Sequence, residues 1–287
     1  MKKSNKILYA SLGAAAIAGT LLGICTQGFC YTSNQCNGNF SLFSSTKKII
    51  GDNNIITQTE ILSSYQAVNV DGNFNVVINQ GKQNRLSVTT SENILPYIKM
   101  QVTNNTLTIS PKPGASLSTA TPITVVAMAT KLNRIDIGGN TNLHVAGLQT
   151  NNLSVNAGGN STGDLQGDIK NLSLNLGGNS TLQVKVNTAN SIHLTTAGSG
   201  NITLTGKTVN FKLETAGQTG VDAKNLIAQN VKITGAGSSV ITVSALKNLI
   251  INIAGISTIK YYGSPALNKT VFGTATIINV SQTVPNQ

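Results

Sequence analysis

Residues 153–204 read LSVNAGGNSTGDLQGDIKNLSLNLGGNSTLQVKVNTANSIHLTTAGSGNITL and hold three copies of one pattern. Apolar side chains alternate with polar ones, a small residue and a glycine follow, and a second alternating run begins. Setting Gly159, Gly178 and Gly198 in one column extends the pattern outward to Gly139 on one side and to Gly217, Gly237, Gly255 and Gly273 on the other. The spacings are 20, 19, 20, 19, 20, 18 and 18 residues. A near-constant period of this length marks units that stack on one another.

Six positions before each glycine stand Asn133, Leu153, Leu172, Ile192, Phe211, Val231, Leu249 and Leu267; four before stand Ile135, Val155, Leu174, Leu194, Leu213, Ile233, Ile251 and Lys269. These columns are expected to point inward. The residues between them are expected to point outward, because successive strand residues face opposite sides. They include Ser154, Asn156, Ser173, Asn175, His193, Thr195, Lys212 and Lys232.

Directly before the glycine come Gly138, Gly158, Gly177, Ala197, Ala216, Ala236 and Ala254, then Phe272. A tight corner with closely approaching backbones explains a glycine followed through every copy. After the corner, Leu143, Leu182, Ile202, Val221, Ile241, Ile259 and Ile277 begin a second inward column. Gly163 replaces the apolar residue in one copy, which predicts a bulge near Asp164. Each unit offers two short strands, too few to close a core alone, so stacking must make the core continuous. A β-solenoid over 131–280 follows, with Lys269 and Asn279 at apolar positions as a polar cap.

Ahead of the repeats, short alternating runs between Tyr65 and Ile109, separated by Gly, Asn and Pro, predict strands over 63–130. Residues 29–62 show no sustained period and read as a linker. Met1–Lys6 is basic, Ile7–Ile24 carries no charge, and small polar residues follow: the layout of a secretory signal, or of an uncleaved anchor, over 1–28. In the exported chain Cys30 and Cys36 suit a local disulfide; the alternative, a metal site, would have only these two ligands.

The net charge is +11, but basic residues are spread thinly, tryptophan is absent and aromatics make up only 4%. Nucleic-acid binding, which needs a concentrated basic footprint, is not expected. Diffuse basicity suits a solvated surface, and equally contact with anionic polysaccharide or lipid headgroups.

The repeats resemble the GIN domain, the head domain of a bacterial family of auto-transporter adhesins. The family's Gly-Ser-Gly turn is matched best by Ala197-Gly198-Ser199-Gly200-Asn201-Ile202, with close variants at Gly158-Gly159-Asn160-Ser161 and Gly177-Gly178-Asn179-Ser180. Its opening is similar to Val70-Asp71-Gly72-Asn73-Phe74 through Gly81 and to Asn93–Ile98, and its closing signature to Ile259-Lys260-Tyr261-Tyr262-Gly263-Ser264-Pro265. The resemblance covers about 65–280. It implies an all-β fold, a right-handed parallel β-helix of about eight 18–20-residue repeats behind an N-terminal strand-rich cap, forming one domain over 63–287. It also implies cell adhesion or envelope contact, with no catalytic residue or cofactor to carry over.

A glycosidase needs two carboxyls about 5–10 Å apart. Coils stack about 4.8 Å apart. Asp136 and Glu214 share a column four repeats apart, and Asp164 and Asp222 three apart, so neither couple is close enough. Asp164 and Asp168 could share a loop, but two carboxylates make a thin calcium site. His144 and His193 are expected to face solvent without a positioned acid or nucleophile. No catalytic or metal residue is therefore assigned. Tyr262, with Tyr261, reads as part of a cap or as a sugar-stacking group. The expected function is a non-enzymatic, exported envelope or secreted adhesin that binds a polysaccharide or cell surface through the outward polar face. Self-association through the solenoid ends or faces is a further expectation. The alternatives are a periplasmic module binding a protein partner and a divergent polysaccharide-active enzyme.

Overall fold

The structure is a computed structural model and describes residues 46–281. The leader and the Cys30–Cys36 couple lie outside the described residues. The described chain is all-β, with a single 3-10 turn at Leu95–Tyr97 and no α-helix. It forms one long, curled, open sheet and a small two-stranded one.

The repeat region consists of β10 (Arg134–Gly139), β11 (Asn142–Ala157), β12 (Thr162–Gly178), β13 (Thr181–Tyr262) and β14 (Ala266–Ser281). These pair in parallel, one period apart: Leu153 lies beside Leu172, Leu172 beside Ile192, and Leu249 beside Leu267. The inward columns are sealed, with Val155, Leu174, Leu213, Ile233 and Ile251 at 0–1% exposure. Each such side chain contributes about 1.5–3 kcal/mol on burial. That gain exists only because the coils on either side close over it.

The glycine column is a steric requirement. A Cβ on Gly159 would lie 2.5 Å from the Gly139 carbonyl oxygen, and one on Gly198 2.3 Å from that of Gly178. All eight glycines have positive φ, but in two classes. Gly139, Gly159 and Gly178, each preceded by another glycine, sit at +67° to +74°; the five later ones, none of which has a glycine before it, sit at +107° to +131°. In the first class the hydroxyl two residues on turns back to the corner: Thr141 donates to the Gly138 carbonyl at 2.6 Å, Ser161 to Gly158 at 2.7 Å and Ser180 to Gly177 at 2.8 Å. In the second class strand pairing runs through the corner, and buried hydroxyls pair across it, Thr196 with Thr219 at 3.2 Å and Thr215 with Ser239 at 3.3 Å.

The N-terminal region corrects three expectations. First, the sheet is mixed rather than parallel throughout. β2 (Ile55–Ile61) pairs antiparallel with β5 (Arg85–Ser91), β5 with β9 (Ile123–Ala129), and β6 (Ile98–Thr103) with β7 (Thr106–Pro111). The β6–β7 hairpin turns through Asn104 and Asn105 at φ 50° and 58°, the left-handed conformation a two-residue hairpin turn demands. Antiparallel pieces of this kind end a sheet in short strands instead of a long open edge.

Second, the stretch expected as the end of a linker carries β1 (Lys47–Ile50), paired with β8 (Ala115–Ser118), as well as β2. β2, IITQTEI, lacks a sustained apolar alternation, because it is mostly exposed and couples to β5 partly through hydroxyls, Thr57 to Thr89 at 2.8 Å.

Third, the repeat column begins before 131. β3 (Ala67–Gly72) lies in parallel register with β10, Val68 beside Ile135, and β4 (Phe74–Gln80) with β11, Val76 beside Leu143. Gly72, at φ +137°, belongs under Gly139, whose Cβ would meet the Gly72 carbonyl oxygen at 2.4 Å. The inserted strands β5 to β9 had hidden it by breaking the period.

The bulge expected near Asp164 lies just past it, with the extra residue on the neighbouring coil between Val145 and Leu148, opposite Leu165–Gly167. His144, Asp164 and Gln183 are in unbroken register, and the irregularities fall after Val145 and after Gly167. Gly163 is small because a Cβ there would lie 2.4 Å from the Leu143 carbonyl oxygen.

Candidate functional site

The outward face before the corner is largely occupied with itself. Asn156 donates to Asp136 at 2.5 Å and Asn175 to Asn156 at 2.8 Å. Four positions earlier, seven before the glycine, Asn171 donates to Asn152, Asn230 to Asn210 and Asn248 to Asn230, all at 2.8–3.0 Å. Stacked amides bond along the axis because adjacent coils put identical positions one strand spacing apart. Of the expected contact residues, Ser154, Ser173, His193, Lys212 and Tyr262 are half-buried and Lys232 is exposed. Thr195, expected outward, is buried at 7% exposure.

Both histidines have a carboxylate partner one coil away, which corrects the expectation that they lack a positioned acid. His144 Nδ1 lies 2.8 Å from Asp164, and His193 Nε2 lies 3.1 Å from Glu214, which also takes a 2.8 Å ion pair from Lys212. Burial acts to raise the Glu214 carboxyl, but the hydrogen bonds and charges of Lys212 and His193 outweigh it and hold the group below its ordinary value. Thr195 Oγ1 approaches the same His193 nitrogen at 3.4 Å. A nucleophile–base relay needs hydroxyl and acid on opposite ring nitrogens; here they share one, so the cluster is an ion-pair network. Among the described residues no three His, Cys, Asp or Glu side chains gather as a metal site.

The face just after the corner is different. There a groove of about 840 Å³ runs along the sheet axis from the Gly159 coil to the Gly255 coil. It is lined by residues two past the glycine, such as Gly200 and the buried Thr219, flanked by those one and three past it. One wall carries Asn160, Asn179, Ser199, Gln218 and Ser238, and the other Thr162, Thr181 and Asn201. Five coil spacings make it about 24 Å long. None of the lining residues is charged. Gly220 interrupts the second wall, with the Asn201 amide leaning over it: a Cβ there would meet Asn201 Oδ1 at 2.5 Å. Apart from Thr162, which donates to Asn142 at 3.2 Å, these named wall side chains make no side-chain hydrogen bond among the described residues. The end toward Gly255 turns apolar, with Val240 at 58% and Ile256 at 67% exposure.

Sequence reasoning placed the contact surface on the ladder before the corner and missed this groove. The signal was present in the run of Asn, Ser, Thr and Gln at fixed offsets after each glycine.

The profile of the family described as "Putative auto-transporter adhesin, head GIN domain" matches residues 64–265. The chain belongs to this family. Solved structures share its fold. A "putative lipid binding protein" from Parabacteroides distasonis is 24% identical, with a TM-score of 0.77, over 81% of this chain and all of its own. A "putative adhesin" from Parabacteroides merdae is 22% identical, with a TM-score of 0.70, over 80% of this chain and 98% of its own. No curated protein matches significantly. At these identities the likeness concerns architecture alone, and the GIN domain's groove must be read from its own residues.

Proposed function

We propose that this GIN domain is a non-enzymatic adhesion module of an exported protein, and that it holds a neutral, hydroxyl-rich polysaccharide strand in the groove after the corner. The observation carrying this reading is the contrast between two polar faces. Side chains before the corner bond one another, whereas those lining the groove have donors and acceptors left over. A wall repeating every coil, about 4.8 Å, suits a ligand that also repeats on the scale of one sugar. The absence of charge in the lining favours hydroxyls over carboxylates or sulfates.

The same proposal takes the coils as a right-handed parallel β-helix within a domain over 63–287, since parallel crossovers turn right-handed almost without exception. The leader over 1–28 would supply export.

A glycan array followed by titration calorimetry tests the reading. Asn201→Ala and Gln218→Ala should each weaken a neutral-glycan hit by roughly 2- to 10-fold, the worth of one lost hydrogen bond, whereas Ser173→Ala, on the ladder face, should leave it unchanged. Failure to bind any glycan, or loss only with the ladder variant, sinks the proposal.

A further inference from the structure

Charge and exposed apolar surface are both concentrated at one end of this molecule. The last acidic residue in the sequence is Asp222; beyond it come Lys224, Lys232, Lys247, Lys260 and Lys269. Lys224 faces Asp222 at 3.5 Å. The other four make no ion pair among the described residues. Over the same region, nine of the thirteen large apolar side chains exposed among the described residues lie at or after Val240. Five of them are on β14: Leu267, Val271, Phe272, Ile278 and Val280, at 36–45% exposure. Among the described residues β14 pairs only with β13.

We propose that this C-terminal end of the sheet docks end-on to a bilayer carrying anionic phospholipid. The apolar side chains of β14 enter the headgroup boundary, led by Phe272, and Lys247, Lys260 and Lys269 meet the phosphates around them. Lys232 stands two coils back, roughly 10 Å, still about one screening length at physiological salt. Basic residues flanking exposed apolar groups are the composition of an interfacial contact.

Charge decides against the other occupants. A second copy docked through this same end would set these unpaired lysines against the same lysines, with no acidic side chain after Asp222 to answer them. An acidic polysaccharide would pair with the lysines but offer no apolar phase to Phe272, Ile278 and Val280. Of the apolar residues at this end the groove takes in only Val240 and Ile256 and none of β14, so this proposal stands independently of glycan binding.

The test is co-sedimentation of the full chain with phosphatidylcholine vesicles with and without phosphatidylglycerol. Because the N-terminal apolar segment is present in every sample, variants are compared in the same chain. Phosphatidylglycerol should tighten binding at least tenfold at about 0.1 M ionic strength, and this gain should vanish near 1 M. Lys247→Gln with Lys260→Gln should weaken binding to these vesicles about thirty-fold. Phe272→Ser with Ile278→Ser should weaken binding at both salt concentrations with unchanged circular dichroism. Asn201→Ala should have no effect on vesicles, which separates this result from that of the groove.

Equal binding to both vesicle types, or indifference to both double variants, overturns the proposal. So does sedimentation of the soluble chain as a dimer that Phe272→Ser dissociates, because the end would then belong to a second copy.

Discussion

Gly158 and Gly159 are neighbours in sequence and opposites in structure, and this predicts a sharp difference between two alanine substitutions. At Gly159, φ is +74° and a Cβ would stand 2.5 Å from the Gly139 carbonyl oxygen. The left-handed conformation costs an L-residue about 1–2 kcal/mol. The overlap is with backbone, so relief requires parting two coils and weakening at least one ladder hydrogen bond, about 1 kcal/mol more. Gly159→Ala should therefore lose about 3 kcal/mol. At Gly158 an added Cβ meets nothing within 4 Å, and φ is not positive. Gly158→Ala should be neutral, or stabilise by up to about 1 kcal/mol by restricting the unfolded chain.

Urea denaturation followed by circular dichroism measures both. With a slope near 3 kcal/mol/M, Gly159→Ala should lower the midpoint by about 1 M while Gly158→Ala leaves it in place or raises it. Equal losses at the two positions would refute the distinction between a corner glycine under backbone constraint and a neighbour facing open space.

Three further outcomes are expected. Burial pushes the Tyr65 hydroxyl, which donates to the Met128 carbonyl at 2.7 Å, up to about 12. The neutral phenol is thus favoured by folding, so its stabilisation holds below pH 10 and is lost as pH rises toward 12; ultraviolet titration should show one tyrosine ionising only as the fold fails, and Tyr65→Phe should flatten alkaline unfolding. Glu214 is held below its ordinary value of 4.5, so its contribution is complete above that pH and is lost as pH falls through the folded value; Glu214→Gln should lessen the acid dependence of the thermal midpoint below pH 4.5 and leave it unchanged between there and neutrality. Asn156→Ala breaks the ladder on both sides, at Asp136 and Asn175, and should cost about 1–2 kcal/mol in urea without affecting glycan binding.

The period of 18–20 residues was legible because an inward column needs an apolar residue in every copy and a corner needs a glycine in every copy. Those are local demands, repeated until they stand out. Gly72 obeys the same rule but lies 67 residues before Gly139, and a period interrupted by an insertion carries no signal. β2 stayed hidden for the opposite reason: a mostly exposed strand that pairs through backbone and hydroxyls imposes no apolar alternation on the sequence.

Sequence alone determined that the chain is all-β, that its glycines build corners rather than a ligand loop, and that it is related to the GIN domain. Only the tertiary structure decided what the polar residues do. An asparagine before the corner and an asparagine after it look alike in sequence. Whether each spends its amide on the neighbouring coil or turns it to a groove depends on what the adjacent coil places beside it, about 4.8 Å away in space and some 20 residues away in the chain.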